Sequence, residues 1–222
     1  MPETPSKTAA RVPSSFLEYR AFYKERFFDI QNQYSQVASS VFRAYKDWNI
    51  RLENITYKQN PLNFGEISLS VAVPGDRIVL NVGLAGVSVN VSNPDWEEAE
   101  RIVKAVDIGI AAVKTATGLE IGSQRAVLAM HLQAISGTLS DRVLDLVRID
   151  ANLLPGKGTR GFGVSVYKDD LTWLVDMSAF FQGALFVKMD RLFGPDVSLG
   201  DIGAQLNQDE QKLFEMLRLE VE

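Results

Sequence analysis

The sequence predicts an α+β domain in which an antiparallel sheet of about seven or eight strands is covered by a long central helix, with further helices near both ends of the chain. Apolar residues occupy every second position in three consecutive segments between residues 67 and 91, which is typical of strands with one buried face. Turn-forming residues separate these segments at Pro74-Gly75 and between Gly83 and Gly86. A segment with helical periodicity follows directly, so it is placed to cover the sheet.

The N-terminal part of the chain is predicted to be a tail followed by a helix. Residues 1–14 are polar and rich in proline, which favours a disordered tail. Ser15 and Glu18 match a capping box, and apolar residues then recur at helical spacing as far as Trp48. These features predict an aromatic helical arm over residues 15–48, within a single domain that spans residues 15–222. The arm either wraps its own domain or packs on a second subunit.

The central helix has clear start and stop signals. Asn93 can cap the first turn and Pro94 suits the first helical position. Gly118 is typical of a left-handed C-terminal cap. We therefore predict a helix over residues 94–117 with a buried stripe that includes Ile102, Val106 and Ile110.

The second half of the chain returns to strand patterns. Residues 126–135 form the longest alternating run, and a short helix and a loop follow it. Three more strands and a terminal helix are then predicted, at residues 162–166, 171–177, 185–189 and 208–221. This order of elements resembles that of SecB-like chaperone domains, although no residue motif carries the resemblance.

Composition excludes several classes of chemistry. The chain has no cysteine and one histidine, so disulfides, thiol nucleophiles and metal centres built from cysteine or histidine are excluded. No nucleophile, cofactor or metal signature is present, and the protein is predicted not to be an enzyme and to use no cofactor. The N-terminal residues lack the apolar core of a signal peptide, and no run reaches about 18 apolar residues. We expect a cytoplasmic protein that does not contact a membrane.

A basic, glycine-rich loop between Gly156 and Gly163 is the clearest candidate for an anion site. Gly156 and Gly158 would allow backbone N–H groups to approach a phosphate, and Lys157 and Arg160 supply positive charge. The loop lacks the glycine spacing of a phosphate-binding P-loop and leads into a strand, so a simple strand connection is favoured over an anion contact.

Two polar residues interrupt apolar strands. His131 lies within the longest strand pattern and has no catalytic partner at a recognisable spacing, so a hydrogen-bonded sheet histidine is favoured over a general base. Asp176 separates Val175 from Met177, and a buried carboxylate there would need a partner such as Arg125 or Lys188.

Aromatic residues exceed what one amphipathic stripe requires. They predict a contact surface for a protein partner, formed by Phe22, Phe27, Phe28, Phe181 and Phe186, with burial against helices of the same chain as the alternative. The predicted function is therefore that of a non-enzymatic binding or assembly protein, which homo-oligomerises and contacts a protein partner or client polypeptide. The alternative is a module that binds nucleic acid or a phosphate ligand through the glycine-rich loop.

Overall fold

The computed structural model describes residues 7–59, 66–75, 77–139, 142–143, 146 and 163–221. In this part of the chain it contains ten strands and three α-helices of more than ten residues. In chain order these are β1 (Thr8–Tyr23), α1 (Ile30–Ala44), β2 (Ile55–Lys58), β3 (Ser68–Val73), β4 (Ile78–Gly83), β5 (Gly86–Ser92), α2 (Ala99–Thr117), β6 (Ile121–Ala134), β7 (Val164–Lys168), β8 (Leu171–Met177), β9 (Leu185–Phe193), α3 (Leu199–Met216) and β10 (Leu219–Val221).

The strands form a larger sheet than the sequence predicts. Nine of them are hydrogen-bonded in the order β2-β3-β4-β5-β1-β6-β9-β8-β7, and β10 pairs with β1. The β1–β10 pair is parallel, whereas the pairs formed by β2 to β5 and by β7 to β9 are antiparallel. The prediction of seven or eight strands covered by one long central helix is therefore wrong, because the N-terminal segment and the last residues of the chain also form strands.

The chain divides into two compact units. We call residues 16–126 and 192–203 the N-half unit, and residues 1–15, 127–191 and 204–222 the C-half unit.

The meander of the N-half unit follows the alternation in the sequence. Strands β3 and β4 pair from Ser68↔Gly83 to Val73↔Ile78, and β4 and β5 pair through Leu80↔Val89. The residues on one face are each 3% exposed or less: Leu69, Val71, Val73, Ile78, Leu80, Val82, Val87, Val89 and Val91. The prediction of three strands with one buried face is confirmed.

Helices α1 and α2 pack against each other and cover this buried face. The hydroxyl of Tyr45, just after α1, donates a hydrogen bond to the Ala105 carbonyl of α2 at 2.5 Å. A side chain at Gly109 would place its Cβ 2.7 Å from that hydroxyl, so the close approach of the two elements requires glycine there. Ile102 and Val106 are buried as predicted, whereas Ile110 is half-buried.

Helix α2 begins later than predicted and ends where predicted. Its first residue is Ala99, because residues 96–98 form a 3₁₀ turn that starts at Asp95. The Asp95 carboxylate accepts a hydrogen bond from the Glu97 N–H at 2.9 Å. Gly118 has a φ of 69° and ends the helix in the left-handed conformation.

The N-terminal segment is a strand where the sequence predicts the end of a tail and the first turns of a helix. Strand β1 runs from Thr8 to Tyr23, and its second half pairs with β5 from Phe16↔Ser92 to Phe22↔Gly86. Helix α1 begins only at Ile30. The pairing is close at Gly86, where a Cβ would lie 2.1 Å from the Ala21 carbonyl oxygen.

The C-half unit contains a second three-strand meander. Strand β8 pairs with β7 from Val164↔Val175 to Lys168↔Leu171, and with β9 from Leu171↔Arg191 to Met177↔Leu185. The terminal helix predicted over residues 208–221 ends at Met216, and β10 takes the last residues of the predicted span. The buried residues of this unit include Leu171, Val175, Leu185, Val187, Met189, Leu206, Leu213 and Leu217.

No helix in the described part of the chain is long and apolar enough to cross a membrane.

Candidate functional site

The glycine-rich loop predicted as an anion site lies almost entirely outside the described residues. The predicted anion-contact residues outside the described part are Gly156, Lys157, Gly158 and Arg160. Within the loop, only Gly163 is described. The hypothesis of nucleic-acid or phosphate binding through this loop therefore stays a prediction.

The predicted aromatic contact residues have different environments. In the N-half unit Phe27 is buried and its ring packs edge-on against Tyr23, Phe22 is half-buried, and Phe28 is exposed. In the C-half unit Phe181 and Phe186 are both half-buried. Phe27 therefore belongs to the core, and Phe28 is the predicted contact residue with the largest free surface.

His131 is surrounded by phenylalanine rings in the C-half unit. Its ring centroid lies 5.5 Å from that of Phe180, 5.1 Å from that of Phe181 and 5.3 Å from that of Phe186. Its Nδ1 lies 2.8 Å from the hydroxyl oxygen of Ser178. Burial lowers the pKa of His131, because an apolar environment disfavours the charged imidazolium.

The hydrogen bonds of Ser178 define the state of this histidine. The Ser178 oxygen accepts backbone N–H bonds from Phe180 at 3.2 Å and from Phe181 at 3.0 Å. With both lone pairs used, the hydroxyl proton is donated to Nδ1 of His131, which is then neutral and protonated on Nε2. Ser178 thus links His131 to the turn formed by residues 178–181.

Asp176 forms no acid–base pair with the lysine that the sequence suggests. Its carboxylate accepts a hydrogen bond from the N–H of Met177 at 2.7 Å. Lys188 pairs instead with Asp190 at 3.3 Å. Asp176 is half-buried and satisfied locally, so it does not nucleate a polar site with Lys188.

An apolar groove in the N-half unit was not predicted from the sequence. It lies between helix α1 and strand β2, and we call it the α1–β2 groove. Its volume is about 620 Å³, within the range of ligand sites in proteins. It is lined by Tyr34, Ala38, Ser39, Phe42 and Arg43 from α1, Leu52 from the following turn, Ile55 and Tyr57 from β2, and Leu69 from β3.

Large apolar side chains in this groove reach solvent. Leu52 is 75% exposed and Tyr34 is 41% exposed, while Phe42, Ile55 and Tyr57 are half-buried. The rings of Tyr34 and Tyr57 stack with centroids 4.4 Å apart and planes 17° apart. The stacked pair gives the groove a preformed aromatic wall, because neither ring has to be ordered when a ligand arrives.

The local sequence accounts for both walls. Tyr34, Ala38 and Phe42 are spaced by four residues, so they form a second stripe on α1 beside the buried Val37 and Val41. This second stripe is the signal that could have revealed the groove in the sequence.

Strand β2 supplies the opposite wall by alternation. Ile55 and Tyr57 point into the groove, while Thr56 and Lys58 are exposed on the opposite face of the strand. Leu52 lies in a 3₁₀ turn just before the strand, where no partner in the described structure buries it.

The groove lining is mostly apolar and carries few polar side chains. Its lining residues include no histidine, lysine or carboxylate, and its polar side chains are two tyrosines, Ser39 and Arg43. Such a lining can contact apolar side chains and form a few hydrogen bonds.

No protein-family model matches the chain, and no curated protein shows significant similarity to it.

Proposed function

We propose that the protein is a non-enzymatic binding protein, which takes up apolar side chains of a protein partner in the α1–β2 groove. The observation that carries this proposal is the groove itself, with its stacked Tyr34–Tyr57 pair and the exposed Leu52 at its rim. Tyrosine and phenylalanine, which line this groove, are enriched at protein contact sites.

The exposed side chains of the groove would contribute favourable free energy to a contact. Burying the free part of Leu52 would contribute about 1–2 kcal/mol. The exposed parts of Tyr34 and Phe42 add to this, and rigid aromatic rings lose little conformational entropy on binding. Together these contacts favour association once its entropic cost is met.

Self-association is the alternative form of the same proposal. Phe28 in the N-half unit and Phe180 in the C-half unit are both largely exposed, and either could contact a second copy of the chain. Light scattering on the intact protein would report such oligomers directly.

The test uses peptides as stand-ins for the partner. Random dodecapeptides displayed on phage are selected on the immobilised full chain, and the best binders are synthesised with a fluorescent label. Fluorescence anisotropy then gives their affinity for the wild type, for Leu52→Asp and for Leu192→Asp. Leu192 is a matched control, because it is also an exposed leucine but does not line the groove.

We expect Leu52→Asp to weaken binding by about tenfold or more, since a carboxylate would have to be desolvated in an apolar contact. Leu192→Asp should bind like the wild type. If selected peptides bind equally well to Leu52→Asp, or if no peptide is selected at all, the groove is not the partner site.

A further inference from the structure

We propose, on the basis of the proposed function, that the partner binds as an added β-strand. An extended segment with apolar residues at alternate positions and an acidic flank would pair with the outer edge of β2. Its apolar side chains would enter the α1–β2 groove. This assigns both the conformation and the chemical class of the partner segment.

The first support is the position of β2 at the end of the strand order. Among the described residues its hydrogen-bonded strand neighbour is β3 alone, with the register Ile55↔Val71 to Lys58↔Ser68. The opposite edge of β2 therefore carries backbone groups that β3 does not use. An edge of this kind is a template for another strand.

The turn before β2 identifies which groups these are. The N–H of Ile55 donates to the Leu52 carbonyl within the turn rather than to β3. Residues of an antiparallel strand point their backbone groups alternately to one neighbour and to the other. The Ile55 carbonyl and both the N–H and the carbonyl of Tyr57 therefore face away from β3, so the edge offers one donor and two acceptors.

The second support is that the same two residues supply side chains to the groove. Directly opposed residues in a ladder share a face of the sheet. A segment paired with Tyr57 would place every second side chain on the α1 side, next to Phe42 and the exposed Leu52. Backbone pairing and side-chain burial would thus be achieved by one extended segment.

A helix is a poorer occupant of the same groove. Its apolar face would cover the outward groups of Ile55 and Tyr57 without offering backbone partners, because a helix satisfies its own N–H and C=O groups. Each backbone group that is buried without a partner costs about 1–3 kcal/mol. An added strand satisfies these groups as it covers them.

Charge indicates the flanking sequence of the partner. Arg43 lines the groove, Lys58 is exposed at the end of β2 on the face opposite the groove, and neither forms an ion pair within the described residues. Helix α1 has no acidic residue to neutralise them, although the chain as a whole has a net charge of −5. A local excess of positive charge in an acidic protein favours an acidic partner segment.

The test uses the selected dodecapeptides with modified backbones. Two versions of each peptide are made, with N-methyl groups on the odd or on the even residues of the segment that binds, so that each version removes half of the N–H donors. In strand addition only alternate N–H groups face β2. One version should then lose at least tenfold in affinity, while the other binds within about twofold of the parent peptide.

A separate experiment tests whether the partner segment has an acidic flank. Arg43→Gln combined with Lys58→Gln should weaken binding of peptides with acidic flanks and reduce the salt dependence of their affinity. Peptides in which Asp is replaced by Asn and Glu by Gln should bind the wild type and the double glutamine variant with the same affinity.

The outcomes separate this inference from the proposed function. If Leu52→Asp abolishes binding but both N-methylated versions bind like the parent, or both fail equally, the groove binds a partner that is not an added strand. Peptide affinities that do not respond to the double glutamine variant would overturn the acidic flank. If peptide affinity is unchanged in Leu52→Asp, the proposed function itself is contradicted.

Discussion

Replacing Gln124 by leucine tests how the N-half unit holds the loop before α3. The Gln124 side chain is 4% exposed. Its Oε1 accepts the hydrogen bond of the Tyr19 hydroxyl, and its Nε2 donates to the carbonyls of Gly194 at 2.8 Å, Pro195 at 3.1 Å and Val197 at 2.9 Å. One amide thus connects β1 to three backbone carbonyls of the loop at residues 194–197.

The expected loss of stability follows from what each partner can do without the amide. Leucine has a similar volume, so the variant removes hydrogen bonds rather than packing. The Tyr19 hydroxyl is buried, and burial together with the nearby Asp107 carboxylate raises the pKa of Tyr19, so it keeps its proton and needs an acceptor. Losing that acceptor costs about 1–3 kcal/mol. Gly194 and Pro195 are exposed and Val197 is half-buried, so these carbonyls can turn to water, which adds about 1 kcal/mol.

The free energy of unfolding in urea should therefore fall by about 2–4 kcal/mol in Gln124→Leu. Tyr19→Phe is the matched control, because it removes one hydroxyl and leaves the three loop bonds intact. In the double variant neither partner is left unpaired, so the two losses should fall short of additivity by about 1–2 kcal/mol. A loss below about 0.5 kcal/mol in Gln124→Leu, or full additivity, would refute this reasoning.

The remaining predictions concern the C-half unit. Arg191 pairs with both Asp209, whose side chain is 2% exposed, and Asp170, which is 47% exposed. Asp209→Ala should cost about 3–5 kcal/mol of unfolding free energy and Asp170→Ala at most about 1 kcal/mol, and equal losses would contradict this difference in burial. His131 has a lowered pKa in the folded protein, so the unfolded chain binds its proton more readily. The free energy of unfolding should therefore fall as the pH falls below about 6.5. Urea unfolding at about pH 7.5 and 5.5 measures this loss, which should be smaller in His131→Gln than in the wild type.

Local patterns in the sequence were sufficient to predict an element where one of its faces is buried and the other is exposed to solvent. The alternation in β3, β4 and β5 predicts those strands because a half-buried pleated strand has a period of two. Gly118 likewise predicts the end of α2, since the left-handed conformation there strongly favours glycine. These features depend on residues close together in the chain.

The N-terminal segment shows where local patterns fail. Leu17, Tyr19 and Ala21 alternate with polar residues, but the aromatic residues around them also fit helical spacing. The pairing of Ala21 with Val87 selects the strand. Since these residues are far apart in sequence, the choice depends on a contact that periodicity cannot report.

The position of the candidate site also depends on contacts between residues that are far apart in the sequence. The sequence by itself determined that α1 carries more apolar surface than one stripe needs and that β2 alternates, because both properties follow from residue spacing. Only the tertiary structure decided that β2 ends the strand order and that α1 lies beside it with a groove between them. The physical reason is that strand order and helix placement are set by long-range packing and hydrogen bonding, which bring Tyr34 onto Tyr57 across more than twenty residues of chain.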